Sequence, residues 1–443
     1  MKRNYYLFIF IIFSILLIAA CNKEEPTTGD NENEAETSWG YDGEPATVTM
    51  LINVGEEEFS RRYKEQLAEV YPNITLELVS GSPNDPQFLQ EQFARGEVPD
   101  IIPTIPTLEY IEDLDLLMPI DDMIEQSGFD LGVFREGIID NLRAMDPLGE
   151  GNLYGLPVES TLLVMYYNKD IFDRLGEPYP AEGMTWEEAL ELTKRLTREV
   201  DGVQYKGLAL EPSYAIPYTQ LAIPGTDPET GDVLFAQDPN TKLVFDWLDE
   251  LRNIPGLMDV DEVSPDGFGG NGQNIAMWIS TAPWLPLLAP VEGLNFDMTT
   301  VPVWDDLPGI APTTPAMPFN ITKHSENKEA AWAVISHLAT EEGQKVLSAA
   351  GSAPTYDSEE VFALFGNMDI EDGATYNVQA PFVDQMGELP PYSKYGPQVT
   401  FHGDNFITEK AREFLTSDLD VVTYLRQMEE EYTTIVTEMK ARE

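Results

Sequence analysis

The residues able to do covalent or metal chemistry are unevenly supplied in this chain of 443 residues. Carboxylates abound, with 78 Asp and Glu against 26 Lys and Arg, whereas His324, His337 and His402 are the three histidines and Cys21 the one cysteine. A Cys/His zinc centre needs four such ligands at short spacings, so these counts nearly exclude one, and a single cysteine forbids an intrachain disulfide. A hydrolase of the Ser-His-Asp kind would offer a G-x-S-x-G elbow; neither that nor the metalloprotease H-E-x-x-H occurs. Gly267-Phe-Gly-Gly-Asn-Gly272 lacks the Lys-Ser/Thr pair of a phosphate loop and reads as a turn before a strand. Asp259, Asp261 and Asp266 are calcium-ligand types, but their spacing does not fit an EF-hand and a solvated loop is the simpler reading. Acidic pairs occur everywhere in so acidic a chain, so abundance alone does not point to a glycosidase. No cofactor and no metal are expected.

The net charge of −52 excludes a further class, because its field repels polyanions and makes nucleic acid an improbable partner. It fits an acidic surface, whether ordinary or adapted to salty or alkaline surroundings. At the N-terminus, Lys2 and Arg3 precede an apolar run from Tyr5 to Ala20 that ends Leu17-Ile-Ala-Ala-Cys21. As a helix this run rises about 24 Å, short of a ~30 Å hydrocarbon core, so it reads as a secretory signal. Residues 22–46 are rich in Glu, Asn, Thr and Gly with almost nothing to bury, and read as a flexible acidic tether.

Apolar residues make up 42% of the chain, enough for two or three folded domains after the tether. Ala46–Asn53 alternates and is β-rich, residues 56–71 carry Phe59, Tyr63, Leu67 and Val70 near a helical period, and Ile74–Val79 is again strand-like. Strand, helix, strand implies a parallel βαβ unit. A helix over 85–95 and a short strand at Asp100–Pro103 follow. Thr185-Trp-Glu-Glu188 is a capping box, Asn274–Trp278 is strand-like, and Ser325 and Thr340 are placed to cap two successive helices. The best periodic stretches near the C-terminus are Glu409–Leu415 and Val421–Met439. No fixed-period repeat is visible, so a solenoid is not expected.

Several segments, in this order, resemble the extracellular solute-binding proteins of ABC importers, in the group that includes maltose-binding protein. They are Gly96-Glu-Val-Pro-Asp-Ile-Ile102, Leu116-Leu-Met-Pro-Ile-Asp121, Leu153-Tyr-Gly-Leu-Pro157, Tyr166-Tyr-Asn-Lys-Asp170 with Met184-Thr-Trp-Glu-Glu188, and Ile275-Ala-Met-Trp278 with Ala282-Pro-Trp284. Ala282 stands where the family usually has glycine. Ile321–Ser325, Lys328–Trp332, Glu342-Gly-Gln344 and Gly351-Ser-Ala-Pro354 complete the series, which covers about 46–440. The Leu-Ile-Ala-Ala-Cys box resembles a bacterial lipoprotein cleavage site, whose cysteine takes a diacylglycerol; two acyl chains anchor a protein stably.

The resemblance implies an α/β fold of the type II periplasmic-binding-protein kind, two lobes with a ligand cleft between them. Residues 1–21 would be the signal ending in the lipidated Cys21 and 22–46 the tether. Lobe one would hold 46–158 plus 304–352, and lobe two 159–303 plus 353–443. The crossings would fall near Val158–Leu162, Thr299–Val303 and Ser352–Thr355. It also implies a substrate-binding lipoprotein, not an enzyme, that captures a carbohydrate and delivers it to ABC permease subunits. Such a protein would be a monomer lipid-anchored on the extracytoplasmic face of the cell membrane, suiting a Gram-positive outer surface. The alternatives are a binding protein for a non-sugar organic solute and a surface-anchored carbohydrate-active enzyme.

A sugar presents hydroxyls at its edge and C–H groups on its faces, so its site needs planar polar groups and flat aromatic surfaces. By position in the family, Trp284 would stack on the ligand or pack at the lobe junction. Trp278 is a further candidate or a core residue. Glu211 and Tyr214 lie in a Glu-Pro-Ser-Tyr stretch resembling the family's sugar-contacting Glu-Pro-Tyr, with one residue inserted, and Tyr218 follows. Glu159 would bridge the lobes through ligand or form a hinge salt bridge. Glu56, in a three-glutamate run after the first strand, would face the ligand or simply open a helix. Phe401 is expected to supply an aromatic contact, with His402 and Asn405 beside it.

Overall fold

The described residues form thirteen strands, and pairing sorts eleven of them into two main sheets. The computed structural model describes residues 40–83, 85–104, 109–258, 265–270, 272–312, 316–368, 375–390, 393–396 and 406–442. Cys21, Phe401, His402, Asn405, Asp259 and Asp261 lie outside the described residues, as does the side chain of Asp266. In chain order the strands are β1 Ala46–Ile52, β2 Ile74–Ser80, β3 Ile101–Pro103, β4 Gly155–Ser160, β5 Leu163–Asn168, β6 Arg198–Val200 and β7 Val203–Leu210. There follow β8 Ile275–Thr281, β9 Phe296–Thr299, β10 Ile310–Ala311, β11 Ala316–Ile321, β12 Ala353–Pro354 and β13 Gln385–Met386.

The first sheet runs β2-β1-β3-β11-β4-β12, with β1 parallel to β2 and β3 and with β11 antiparallel to both of its neighbours. Both faces of β1 are covered, which is why its buried positions do not keep strict alternation. Val48, Met50 and Ile52 join Phe59, Tyr63 and Leu67 of the following helical segment, together with Trp332 and Ile335. Leu51 faces the opposite way, toward Leu89, Ile102 and Leu116. That helical segment, 56–70, is opened in its middle by a π-turn at Ser60–Lys64.

The second sheet runs β6-β7-β8-β5-β9, with β7 parallel to β8 and β5 antiparallel to β8 and β9. Its one face packs on helices Trp186–Leu196, Pro239–Arg252, Phe406–Thr416 and Val421–Arg442; its other face carries Val164, Tyr166, Trp278 and Phe296. The capping box is present: the Glu188 amide donates to Thr185 Oγ1 at 3.2 Å and the Thr185 amide to Glu188 Oε2 at 3.0 Å. Thr340 caps helix Glu341–Ala349. Ser325, expected to cap the preceding helix, does not: that helix starts at Lys328, and Ser325 Oγ donates to the buried Asp100 at 2.5 Å.

The chain passes between the sheets where their strand ends meet. Ser160 closes β4 and pairs with Ala316 and Ala353, the first residues of β11 and β12, while Thr161 and Leu162 lead into β5. The lobe limits differ from those expected for a physical reason: long-range packing, invisible in local pattern, decides them. Glu159 and Ser160 belong to the first sheet, as does β12. Trp304 and Leu307 pack in the core of lobe two. Beyond β12, Tyr356 still bridges to Phe134 and Lys345 pairs with Glu360 at 3.0 Å, and the chain joins lobe two where Tyr376 stacks on Phe296 at 4.7 Å. A two-stranded ladder, β10 beside β13, links two of these connecting segments. No helix among the described residues is long and apolar enough to cross a membrane.

Candidate functional site

Strand directions locate the site. The carboxyl ends of β1, β3 and β4 point to the junction from one lobe and those of β7, β8 and β9 from the other. Open α/β sheets bind ligands outside these ends, where backbone groups and loops converge.

On the lobe-one side the residues after β1 are charged. Glu56 is exposed, with Lys64 Nζ at 3.7 Å, and Glu57 follows it in the first helical turn, where the macrodipole favours acids. Glu58 is gripped by Arg61 at 2.7 Å and by Arg62. Glu159, at the end of β4, accepts from the buried Tyr63 hydroxyl at 2.5 Å and from Ser352 Oγ at 3.2 Å, with Arg62 Nη1 at 4.0 Å. Glu159 therefore has its partners within lobe one and its β12 connection. The neighbouring carboxylates hold the Arg62 pKa above its ordinary value against the opposing effect of burial. Sequence reasoning did not single out Arg62, Tyr63 or Ser352; the Arg61-Arg62 pair in a chain so short of cations was the available signal.

On the lobe-two side, Trp284 ends a 3-10 turn, Ala282–Trp284, directly after β8. The Tyr166 hydroxyl pins that turn by donating to the Ala282 carbonyl at 2.8 Å. Trp284 is partly exposed and leans on the fully buried Trp278, ring centroids 5.6 Å apart, and Phe268 stacks behind Trp278 at 5.5 Å. Trp278 is thus the backing of an aromatic wall, and Trp284 is the part of it that reaches the surface.

Glu211 leaves the end of β7 with its amide donated to the Ile279 carbonyl at 2.9 Å, so register sets it beside Trp278 and Ser280. Its Oε2 is buried and without a hydrogen-bond partner, as are Trp278 Nε1 and Ser280 Oγ. Burial pushes the Glu211 pKa up; the Trp278 indole N–H, close enough to favour the anion but not in a well-formed hydrogen bond, partly offsets this. Glu211 shows no ion pair among the described residues.

Tyr214 and Tyr218 do not join this wall. Both are buried in the lobe-two core, with the Tyr218 hydroxyl turned toward Thr241 of helix Pro239–Arg252. Among the described residues no group of carboxylates, histidines or cysteines is arranged to hold a metal ion. The arrangement supplies a flat apolar face and a carboxyl able to accept from hydroxyls. Those are means of holding a neutral, hydroxyl-rich molecule.

Comparison with known proteins gives the family and the fold. The sequence profile described as bacterial extracellular solute-binding protein matches residues 55–345, about two thirds of the chain. This chain belongs to that family. Solved structures share its fold at low identity. An ABC substrate-binding protein of Listeria monocytogenes, solved with cycloalternan, is 20% identical at TM-score 0.68, covering 89% of this chain and 100% of its own. The sugar-binding protein MalE from Xanthomonas citri is 18% identical at TM-score 0.68, with coverages of 89% and 98%. A cyclic alpha-maltosyl-1,6-maltose binding protein from Arthrobacter globiformis is 14% identical at TM-score 0.65, with coverages of 89% and 100%. The family's architecture is two-lobed, and β4 to β5 is one passage between its lobes here.

Proposed function

We propose that this protein is the substrate-binding lipoprotein of an ABC importer. It captures a carbohydrate, an oligosaccharide by preference, between its lobes and delivers it unchanged to the permease subunits. The observation that carries this reading is that Trp284, backed by Trp278, and the Glu211 carboxyl, whose buried Oε2 has no hydrogen-bond partner, both follow strand ends of lobe two. Stacked ring and carboxyl match the apolar face and hydroxyl edge of a pyranose. Support comes from fold neighbours solved with or named for glycans, including cycloalternan and cyclic maltosyl-maltose. Glu56 is the lobe-one residue placed to accept a further hydroxyl, and Phe401 would add a second aromatic contact. The chain acts as a monomer held at the extracytoplasmic face by lipid on Cys21, as suits a Gram-positive surface. It turns nothing over.

A melting-temperature screen tests the proposal. A solute present at about 100 times its Kd stabilises the folded chain by roughly 2.7 kcal/mol. Neutral oligosaccharides should raise the Tm, and the same sugars should be recovered intact after prolonged incubation. A rise with amino acids or peptides and none with sugars would favour the non-sugar solute instead, and cleaved sugar would mark an enzyme.

A further inference from the structure

Gln220 carries three hydrogen bonds that no local pattern announces. It is buried, just past the short helix Ile216–Thr219, in the segment that starts with Glu211. Its Oε1 accepts from Trp186 Nε1 at 2.7 Å. Its Nε2 donates to the carbonyls of Pro302 at 3.1 Å and Ile310 at 2.7 Å. A primary amide has the two donors and one acceptor this arrangement uses, and no other uncharged side chain except Asn has them.

The two carbonyls bracket the chain that returns from β9 toward the first sheet. Inside the bracket, the Trp186 amide donates to the Val303 carbonyl at 3.0 Å and Trp304 Nε1 to the Pro217 carbonyl at 2.8 Å. At its far end Ile310 pairs with Gln385 and Ala311 with Met386; the amides of Gln385 and Gly387 donate to the Gly309 and Ala311 carbonyls at 2.9 and 3.1 Å. Met386 lies in the lobe-one core, and Asn141 Nδ2 reaches its Sδ at 3.4 Å. One buried amide therefore stands between the segment bearing Glu211 and the ladder that leads into lobe one.

We propose that Gln220 is the positioning residue that fastens the second connection to lobe two as far as Ile310, so that this stretch moves with lobe two. Its consequence for capture rests on the proposed capture of a sugar between the lobes, but the fastening itself does not. Motion of the Glu211 segment is then passed to the β10–β13 ladder instead of being lost in a slack loop. A buried carbonyl left without its donor is costly, so loss of Nε2 should open the ladder locally.

Hydrogen exchange read by mass spectrometry tests this without any ligand, so a failure here is separable from failure to find a sugar. Three variants are compared with wild type. Gln220→Leu and Gln220→Met each remove all three bonds while keeping an apolar side chain of similar size; Trp186→Phe removes the bond to Oε1 and leaves both Nε2 donors in place. The amides of Gln385 and Gly387 should exchange about tenfold faster or more in both Gln220 variants, with β8 as protected as in wild type. In Trp186→Phe they should stay within about twofold of wild type. Ladder amides unchanged in the Gln220 variants, or equally loosened by Trp186→Phe, would overturn the proposal. Either Gln220 variant decides where the other does not fold.

Discussion

At the scale of single residues the account rests on a tryptophan at the surface of an aromatic wall and a carboxyl beside it. Trp284→Ala removes the flat face and leaves the buried Trp278 in place; aromatic anchors truncated in this way cost about 2 kcal/mol or more, so sugar affinity should fall roughly 30-fold with the fold intact. Calorimetry checks this, and affinity within about threefold of wild type would return Trp284 to a packing role. Glu211→Gln separates binding from stability. Because burial raises the Glu211 pKa, the folded state holds its proton more tightly than the unfolded chain. The wild type is then best stabilised below the ordinary glutamate range and loses that contribution as pH rises through the raised value. The glutamine variant should melt with wild type in acid and above it at neutral pH, while binding sugar more weakly. Trp284 and Glu211 each follow a strand directly, β8 through a 3-10 turn and β7 respectively. In the same segment Tyr214 and Tyr218 are buried in the lobe-two core, with Tyr218 toward Thr241 of helix Pro239–Arg252, a placement set by packing and not by spacing. Glu159 was legible as a junction residue, but its partner Tyr63 lies 96 residues away and nothing near it in sequence names that partner.

Elements were read most surely where one local rule decided them. The alternation of β1 and β2, the capping box at Thr185 and the cap at Thr340 are such cases. The limits of the connecting segments were not legible, since Ile310 is placed by Gln220 and by Gln385, neither near it in the chain. One close approach between connecting elements invites a test. Gly351 follows helix Glu341–Ala349 with φ +84°, and a Cβ there would stand 2.5 Å from Pro286 Cγ in the helix after Trp284. Gly351→Val meets both a disfavoured backbone conformation and that proline ring. It should hold the two elements apart, so that small-angle scattering shows less contraction with saturating sugar and affinity drops about tenfold. Wild-type contraction and affinity in this variant would remove the contact from the closing motion.

For the whole molecule, the acidic balance and the leader expected from the sequence support the proposed surface receptor. With a net charge of −52 and the lobe-one arginines nearest the junction paired to Glu58 and Glu159, the cleft has little to offer an anion. Cys21→Ser should release the protein from the membrane or leave it unprocessed, read by fractionation and intact mass; a processed variant retained as before would refute the lipid anchor. Native mass spectrometry of the purified chain mixed with neutral oligosaccharides, their phosphorylated counterparts and peptides tests the central claim most directly. The account predicts one intact neutral glycan per chain, lost in Trp284→Ala. A bound peptide or phosphorylated solute with no neutral glycan, or a neutral glycan held equally well by Trp284→Ala, would contradict it.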